Sequence, residues 1–365
     1  MSRYFFYLYL ICMFINTIFF VPRLLLEQRF NGAVMAMVVA VVLGSVFAIL
    51  FLKAIGKFPG QGISDIFERS LPGFIKTPLL FFFGIMWAIA GSIVLIAFAI
   101  IAIRFLNPES SVMILLLIFC GIGCWTATHS SQSILYVIEI VIILSLPVVA
   151  YIMYKALTSN WFEWDAVLIL SDYAFKIPSW QTVSVATYSF AGYINMAVYN
   201  REFQPSKIRM LWLIPIIGVV VLFVSAVVPI GLLGIDHVDY YIYTWITSAD
   251  TLIMEFGLIE RVVYLFLFVY IGFSLSFVTI TWNIGSELIA ECFKKRTLKI
   301  KKMSIPIRVL SSILIAVATF VGGMMSTDKM LIHFVSNWLM LRLSAEILLV
   351  AMIVWMAWRS VRKHG

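Results

Sequence analysis

Ten apolar stretches follow one another along the chain, at roughly 4–25, 33–56, 76–104, 111–127, 134–157, 179–199, 208–233, 256–283, 306–325 and 332–357. A helix that crosses a bilayer needs about 20 apolar residues, and the charged residues gather almost wholly between these stretches. With 63% apolar against 12% charged residues, little chain is left for a water-soluble domain. The pattern predicts an all-α integral membrane protein of about ten transmembrane helices. It forms a single polytopic domain over 1–365, so its function lies within the bilayer or in short loops.

Two connections carry patterns of their own. Residues 58–72 open with turn residues and then space Ile63, Ile66, Phe67 and Leu71 as one helix face, which predicts a short amphipathic helix at the membrane interface. Residues 234–255 are rich in Tyr, Trp and Asp. Their aromatic rings suit the headgroup level, and a lid over an external vestibule is the sharper alternative.

Two spans are interrupted by polar residues. Span one carries Asn16 and Thr17 at mid-membrane, then Pro22. Span six reads Thr187-Tyr188-Ser189-Phe190-Ala191-Gly192-Tyr193-Ile194-Asn195, where a plain anchor would be Leu and Val. Irregular backbone at membrane depth is tolerated only where it lines a cavity or is buried in protein. Such segments in corresponding positions of two halves point to a substrate site. Spans one and six correspond if the chain is two five-helix repeats, about 4–157 and about 179–357. Five is odd, so the second repeat would be inverted.

Charge then sets the orientation. Lys294, Lys295, Arg296, Lys299, Lys301, Lys302 and Arg308 crowd one connection. Placing it in the cytoplasm, as the excess of cations in inner loops requires, brings Lys53, Lys57, Arg69, Lys76, Arg201, Lys207, Arg209 and the tail Arg359, Arg362 and Lys363 to the same side. The opposite loops hold Glu163, Asp165, Asp172, Asp236, Asp239, Asp250 and Glu255. Both termini are therefore expected in the cytoplasm. The net charge of +8 sits where topology requires it and favours anionic membrane lipids, not nucleic acid. The opening Met1-Ser2-Arg3 and apolar run runs into Val21-Pro22-Arg23 without a cleavage pattern and is expected to stay as span one.

The sequence offers no sign of an enzyme. No nucleophile–base pairing or phosphate-binding Gly loop is present, and no catalytic residue is expected. Four cysteines give no disulfide framework, and Cys120 and Cys124 lack a His or acidic neighbour. His129, His237 and His333 have no metal-ligand spacing, so neither metal nor cofactor is expected.

Several of these segments are similar to a known family. Phe58-Pro59-Gly60-Gln61, the span-six run Tyr188-Ser189-Phe190-Ala191-Gly192-Tyr193, the run Phe256-Gly257-Leu258-Ile259-Glu260-Arg261-Val262-Val263-Tyr264 and Pro22-Arg23 resemble the spore germination permease family, in order and over nearly the whole chain. Those proteins are the B subunits of Ger-type nutrient germinant receptors, a branch of the amino acid–polyamine–organocation superfamily. The resemblance implies a five-plus-five inverted repeat with broken first and sixth helices. It implies a small nutrient ligand, most often an amino acid, and partnership with an A-type membrane subunit and a C-type lipoprotein in the spore inner membrane. A proton-coupled amino-acid transporter, or a conduit for water or ions, would need the same pocket. Span one departs from the family superfold, reading Phe14-Ile15-Asn16-Thr17-Ile18 where such transporters carry a Gly-rich break.

The expected ligand-binding residues are Asn16 and Thr17 in span one, Tyr188, Ser189 and Gly192 in span six, and Tyr264 in span eight, with the pocket between spans one, six, three and eight. Ionisable residues inside a membrane are functional hypotheses by default. Glu139 in span five is read either as a hydrogen-bond partner of a neighbouring helix or as a proton-coupling carboxylate. Glu260 shares a helix face with Tyr264, either to meet a ligand ammonium or to reach the outer interface. Arg342 and Glu346, four apart in span ten, are read as a structural pair.

Overall fold

The computed structural model describes residues 2–18, 20–106, 108–203, 210–253, 261–293, 297–300 and 303–364. The chain opens with α1 (Ser2–Ile18) and α2 (Phe20–Glu27), whose axes differ by 49°. Pro22 explains the break: it has no N–H to offer the Ile18 carbonyl four residues back, and its ring would crowd that carbonyl. Then come α3 (Ala33–Ile55), α4 (Ile63–Ser70), α5 (Gly73–Leu106), α6 (Val112–Ala127) and α7 (Ser131–Leu157). After α8 (Trp164–Leu168), span six is composite: α9 (Trp180–Thr187), a 3₁₀ stretch (Tyr188–Asn195) and α10 (Met196–Tyr199). The rest is α11 (Leu213–Leu233), α12 (Thr244–Asp250), α13 (Val262–Glu291), an antiparallel hairpin of β1 (Thr297–Ile300) and β2 (Met303–Pro306), α14 (Ile307–Met325) and α15 (Asp328–His364).

This is an all-α membrane protein with one small hairpin among the described residues. Seven described helices (α3, α5, α7, α11, α13, α14 and α15) are long and apolar enough to cross a bilayer, or eight if α1 and α2 form one bent span. The expected ten would need two further crossings, and the segments at those places are of another kind. Helix α6 has 16 residues, and at 1.5 Å per residue it spans only about 24 Å of a core about 30 Å thick. Span six is not a continuous α-helix.

Helices α5 and α13 form the centre. Their most apolar windows are 78% and 67% buried, against 28% for α7 and α14, which turn apolar faces outward. The two central helices touch backbone to backbone. A Cβ on Gly285 would stand 2.9 Å from the Gly84 carbonyl oxygen, so no side chain fits. Close approach at small residues is how helices associate in lipid, where hydrophobic burial alone gives little drive. Polar groups on α13 and α14 complete α6: the Asn283 side-chain amide and Arg308 both donate to the carbonyls of Ala127 and His129, which have no helical partner.

Both termini approach one end of the bundle. There Tyr4 stacks on Phe203, and Asn200 donates to the carbonyls of Phe58 and Gln61, beside Arg359 of α15. The amphipathic segment forms α4, with Ile63, Ile66 and Phe67 buried. Charge pattern pairs Glu287 with Lys294 or Lys295, but the structure pairs it with Arg201 at the end of span six, which also meets Ser131. Lys294 and Lys295 lie outside the described residues.

At the opposite end the aromatic connection divides. Tyr240 and Tyr241 are exposed, but Tyr243 and Trp245 are buried, and the Trp245 indole donates to the Ser225 carbonyl at 3.2 Å. Headgroup anchoring therefore does not account for the latter two. Arg29, buried at the end of α2's turn, pairs with Asp239 at 3.1 Å, and Arg23 donates to the Asp239 carbonyl at 2.8 Å. Tyr243 donates to Asp328, which also pairs with Arg104. Burial, with Asp328 beside it, pushes the Tyr243 phenol above its usual range.

Candidate functional site

The change of helix type in span six creates the polar centre of the bundle. Ser179 starts α9 by accepting the Thr182 N–H at 3.1 Å. At Tyr188 the backbone tightens, and its N–H turns to the Val185 carbonyl three residues back. The Ser184 carbonyl, its partner in a continuous α-helix, is left for another donor. Two side chains supply it: the Thr187 hydroxyl donates to Ser184 at 3.0 Å, and Arg342 of α15 donates to Ser184 at 2.6 Å and to the Thr187 hydroxyl at 2.9 Å. The same guanidinium lies 5.1 Å over the Tyr188 ring and pairs with Glu346 one turn on. Glu346 in turn accepts the Tyr193 hydroxyl at 2.6 Å. One ion pair thus clamps both halves of the 3₁₀ stretch.

A cavity of about 50 Å³ adjoins this clamp. Cys12 of α1, Trp87 of α5, Tyr188 and Asn195 of span six, Thr281 of α13 and Arg342 of α15 stand on its sides. The Trp87 indole is already engaged, donating to Asn195 Oδ1 at 2.9 Å. Two buried donors on the α15 side, Arg342 Nε and Trp338 Nε1, find no acceptor among the described residues. Buried polar groups are normally paired, and these two leave the cavity with a place for an acceptor. A guanidinium and a carboxylate side by side, with aromatic walls, can meet opposite charges on one small molecule by charge-assisted hydrogen bonds.

The expected site residues are distributed as follows. Tyr188 lines the cavity. Asn16 reaches across from α1, its side-chain amide donating to the Tyr188 carbonyl at 3.1 Å and to Cys12 Sγ at 3.4 Å. Ser189 is fully buried beside it in the chain, with its hydroxyl unpaired among the described residues. Gly192 faces α1: a Cβ there would stand 2.7 Å from Tyr9 Cα, so it marks a close helix approach and not a bend. Thr17 donates to the Met13 carbonyl at 2.8 Å and borders a different, apolar crevice of about 190 Å³ with Phe14, Val221, Trp245 and Phe273. Tyr264 is half-exposed and stands away from the cavity. Glu139 is half-buried 3.5 Å from Arg3, also away from it. Glu260 lies outside the described residues.

Sequence reasoning read Arg342 and Glu346 as a structural pair, did not place them at the pocket, and did not single out Trp338. A signal was present, since two charges four apart within an apolar span are costly unless used or paired. What the sequence does not show is that the pair faces Ser184 and Tyr188, more than 150 positions away.

Fold and cluster together define a multi-pass helical membrane protein with a charged pocket at its centre. The family model for spore germination proteins, the spore permease family, matches residues 2–321, and the chain belongs to that family. It is a transporter- or receptor-like membrane family. No curated protein sequence matches the chain. Helix α15, with Arg342 and Glu346, follows the matched stretch.

Proposed function

We propose that this chain is the membrane subunit of a spore germinant receptor, which binds a small nutrient, an amino acid by chemical class, and signals germination to partner subunits. The observation that carries the reading is the Arg342–Glu346 pair set against the 3₁₀ stretch and the cavity. A free amino acid brings one carboxylate and one ammonium group, which match Arg342 and Glu346 in charge. Its carboxylate would also supply the acceptor that Arg342 Nε and Trp338 Nε1 lack. The cavity is far below the usual 300 Å³ or more of a small-molecule site. Ligand entry must therefore part Arg342 from Glu346 and loosen their hold on Ser184 and Tyr193. A ligand that prefers the loosened state shifts the equilibrium by its differential affinity.

In this reading the chain is not an enzyme and lies in the spore inner membrane with both termini in the cytoplasm. It works with an A-type membrane subunit and a C-type lipoprotein, and its two halves are five-span inverted repeats. Asn16, Tyr188, Ser189 and Gly192 shape the pocket from spans one and six; Thr17 and Tyr264 lie outside the present cavity. Glu139 and Glu260 are candidates for coupling only in the second reading, a proton-coupled amino-acid carrier, which the buried Glu346 also suits.

Proteoliposomes containing the chain alone separate the readings. Saturable binding of a labelled amino acid without accumulation is expected. Accumulation driven by a pH gradient would instead establish a carrier, and a salt-permeable vesicle without saturable binding a conduit.

A further inference from the structure

Three cations from three separate elements face one recess at the end of the bundle that holds both termini. Lys57 follows α3, Arg69 lies in the last turn of α4, and Arg359 comes from the far end of α15; Gln61, Ser70 and Ser360 complete a hollow of about 380 Å³. All three cations are exposed, and none forms an ion pair among the described residues. The acids nearest in sequence are engaged elsewhere. Asp65 accepts the Gly62 N–H at 2.9 Å, and Glu68 pairs with Lys76 at 3.2 Å. Like charges brought together around a hollow repel one another unless an anion sits between them.

Neighbouring residues set the depth of this recess in the membrane. Helix α4 packs Ile63, Ile66 and Phe67 into the bundle and leaves Arg69 exposed on its outer side. On α15, Trp355 and Trp358 are 45% and 52% exposed, and the Arg359 guanidinium lies 5.5 Å over the Trp355 ring. Exposed tryptophans gather at headgroup level. An anion held at that depth, open to the bilayer, is the phosphate of a lipid.

We propose that the recess binds the phosphate group of an anionic phospholipid from the surrounding membrane, between Lys57, Arg69 and Arg359. The site bridges α15, which walls the central cavity, and a segment outside the cavity that is bonded to span six. Helix α15 carries Arg342 and Glu346, and the segment from Phe58 to Gln61 is tied to span six through Asn200. Lipid occupancy therefore holds α15 against span six, and its loss loosens the clamp around Tyr188.

The test uses the full-length chain in nanodiscs of phosphatidylcholine with a minor share of phosphatidylglycerol, with retained lipid counted by native mass spectrometry after transfer to detergent. Wild-type protein should retain phosphatidylglycerol selectively. Removing one cation weakens retention roughly fivefold, so Arg359→Gln shows that change and the triple change Lys57→Gln, Arg69→Gln, Arg359→Gln about a hundredfold. The single variant keeps the test valid if the triple one does not fold. Removing the same charge elsewhere (Lys53→Gln, Lys176→Gln, Lys329→Gln) should leave selectivity intact. Equal retention of both lipids by the wild type, or equal loss in the control triple, would overturn the proposal. So would displacement of the lipid by millimolar inorganic phosphate, which would mark a site for a soluble anion.

Discussion

Asn16 and Tyr188 join the two interrupted spans: the Asn16 side-chain amide donates to the Tyr188 carbonyl at 3.1 Å across 172 positions of sequence. That carbonyl sits where span six changes from α to 3₁₀ geometry. The bond holds α1 against the one stretch of span six whose backbone pattern is altered. Asn16→Ala removes one donor to a buried carbonyl, and losing one hydrogen bond costs about 0.5–1.5 kcal/mol. In membranes such bonds measure nearer 0.6 kcal/mol on average, so about 1 kcal/mol is expected. A melting curve in detergent should fall by a few degrees while the nutrient response falls much further. An unchanged response at wild-type protein level would remove Asn16 from the site.

Gly192 tests the same contact from the other side. A Cβ there would lie 2.7 Å from Tyr9 Cα and 3.0 Å from the Tyr9 carbonyl oxygen, and backbone atoms cannot swing aside. Gly192→Ala must push α1 and span six apart, and overpacking of this kind costs about 1–3 kcal/mol. Gly192→Leu should abolish the response with membrane insertion intact. The alanine variant should show a partial loss, and a graded series Gly, Ala, Leu is the measurement. A normal response from the leucine variant would separate the contact from function.

Legibility in the sequence follows the physics of the bilayer. Apolar length and the placement of cations announce the spans because lipid leaves the backbone no alternative to helix. Span six is legible for the same reason: Ser189, Gly192 and Asn195 have no business in a plain anchor. Rotation about a helix axis is not legible in that way. Tyr264 shares the sequence neighbourhood of the candidate site yet faces outward, 47% exposed. Arg342 and Glu346 reveal their mutual spacing but not the Ser184 carbonyl that makes the arginine a clamp. Such contacts depend on which segments pack together, and local pattern does not encode that.

Glu139 illustrates a charge whose neighbour changes its meaning. Its carboxylate meets Arg3 at 3.5 Å, and the Arg3 side chain is 62% exposed. An ion pair so open to its surroundings contributes little to stability. Glu139→Gln keeps the shape and should retain the nutrient response and its pH profile. Loss of pH dependence in this variant, assayed in spores or by uptake in vesicles, would show instead that the charge change is used.

The Arg342–Glu346 pair permits the sharpest separation of stability from function. Removing one member, as in Glu346→Leu, strands a buried charge, which costs about 3–5 kcal/mol. A dead single variant therefore says little about ligand binding. Replacing both with apolar residues of similar volume, Arg342→Met with Glu346→Leu, removes the charge from the interior altogether and is often neutral for stability. Two costs remain here, because the Ser184 carbonyl keeps only the Thr187 hydroxyl as a donor and the Tyr193 hydroxyl loses its acceptor. The double variant should therefore melt between wild type and the Glu346→Leu single, and it should neither bind nor respond to an amino acid. A double variant that folds and still binds would show that the pair is only a structural clamp. The ligand would then have to be held by the span-one and span-six residues alone.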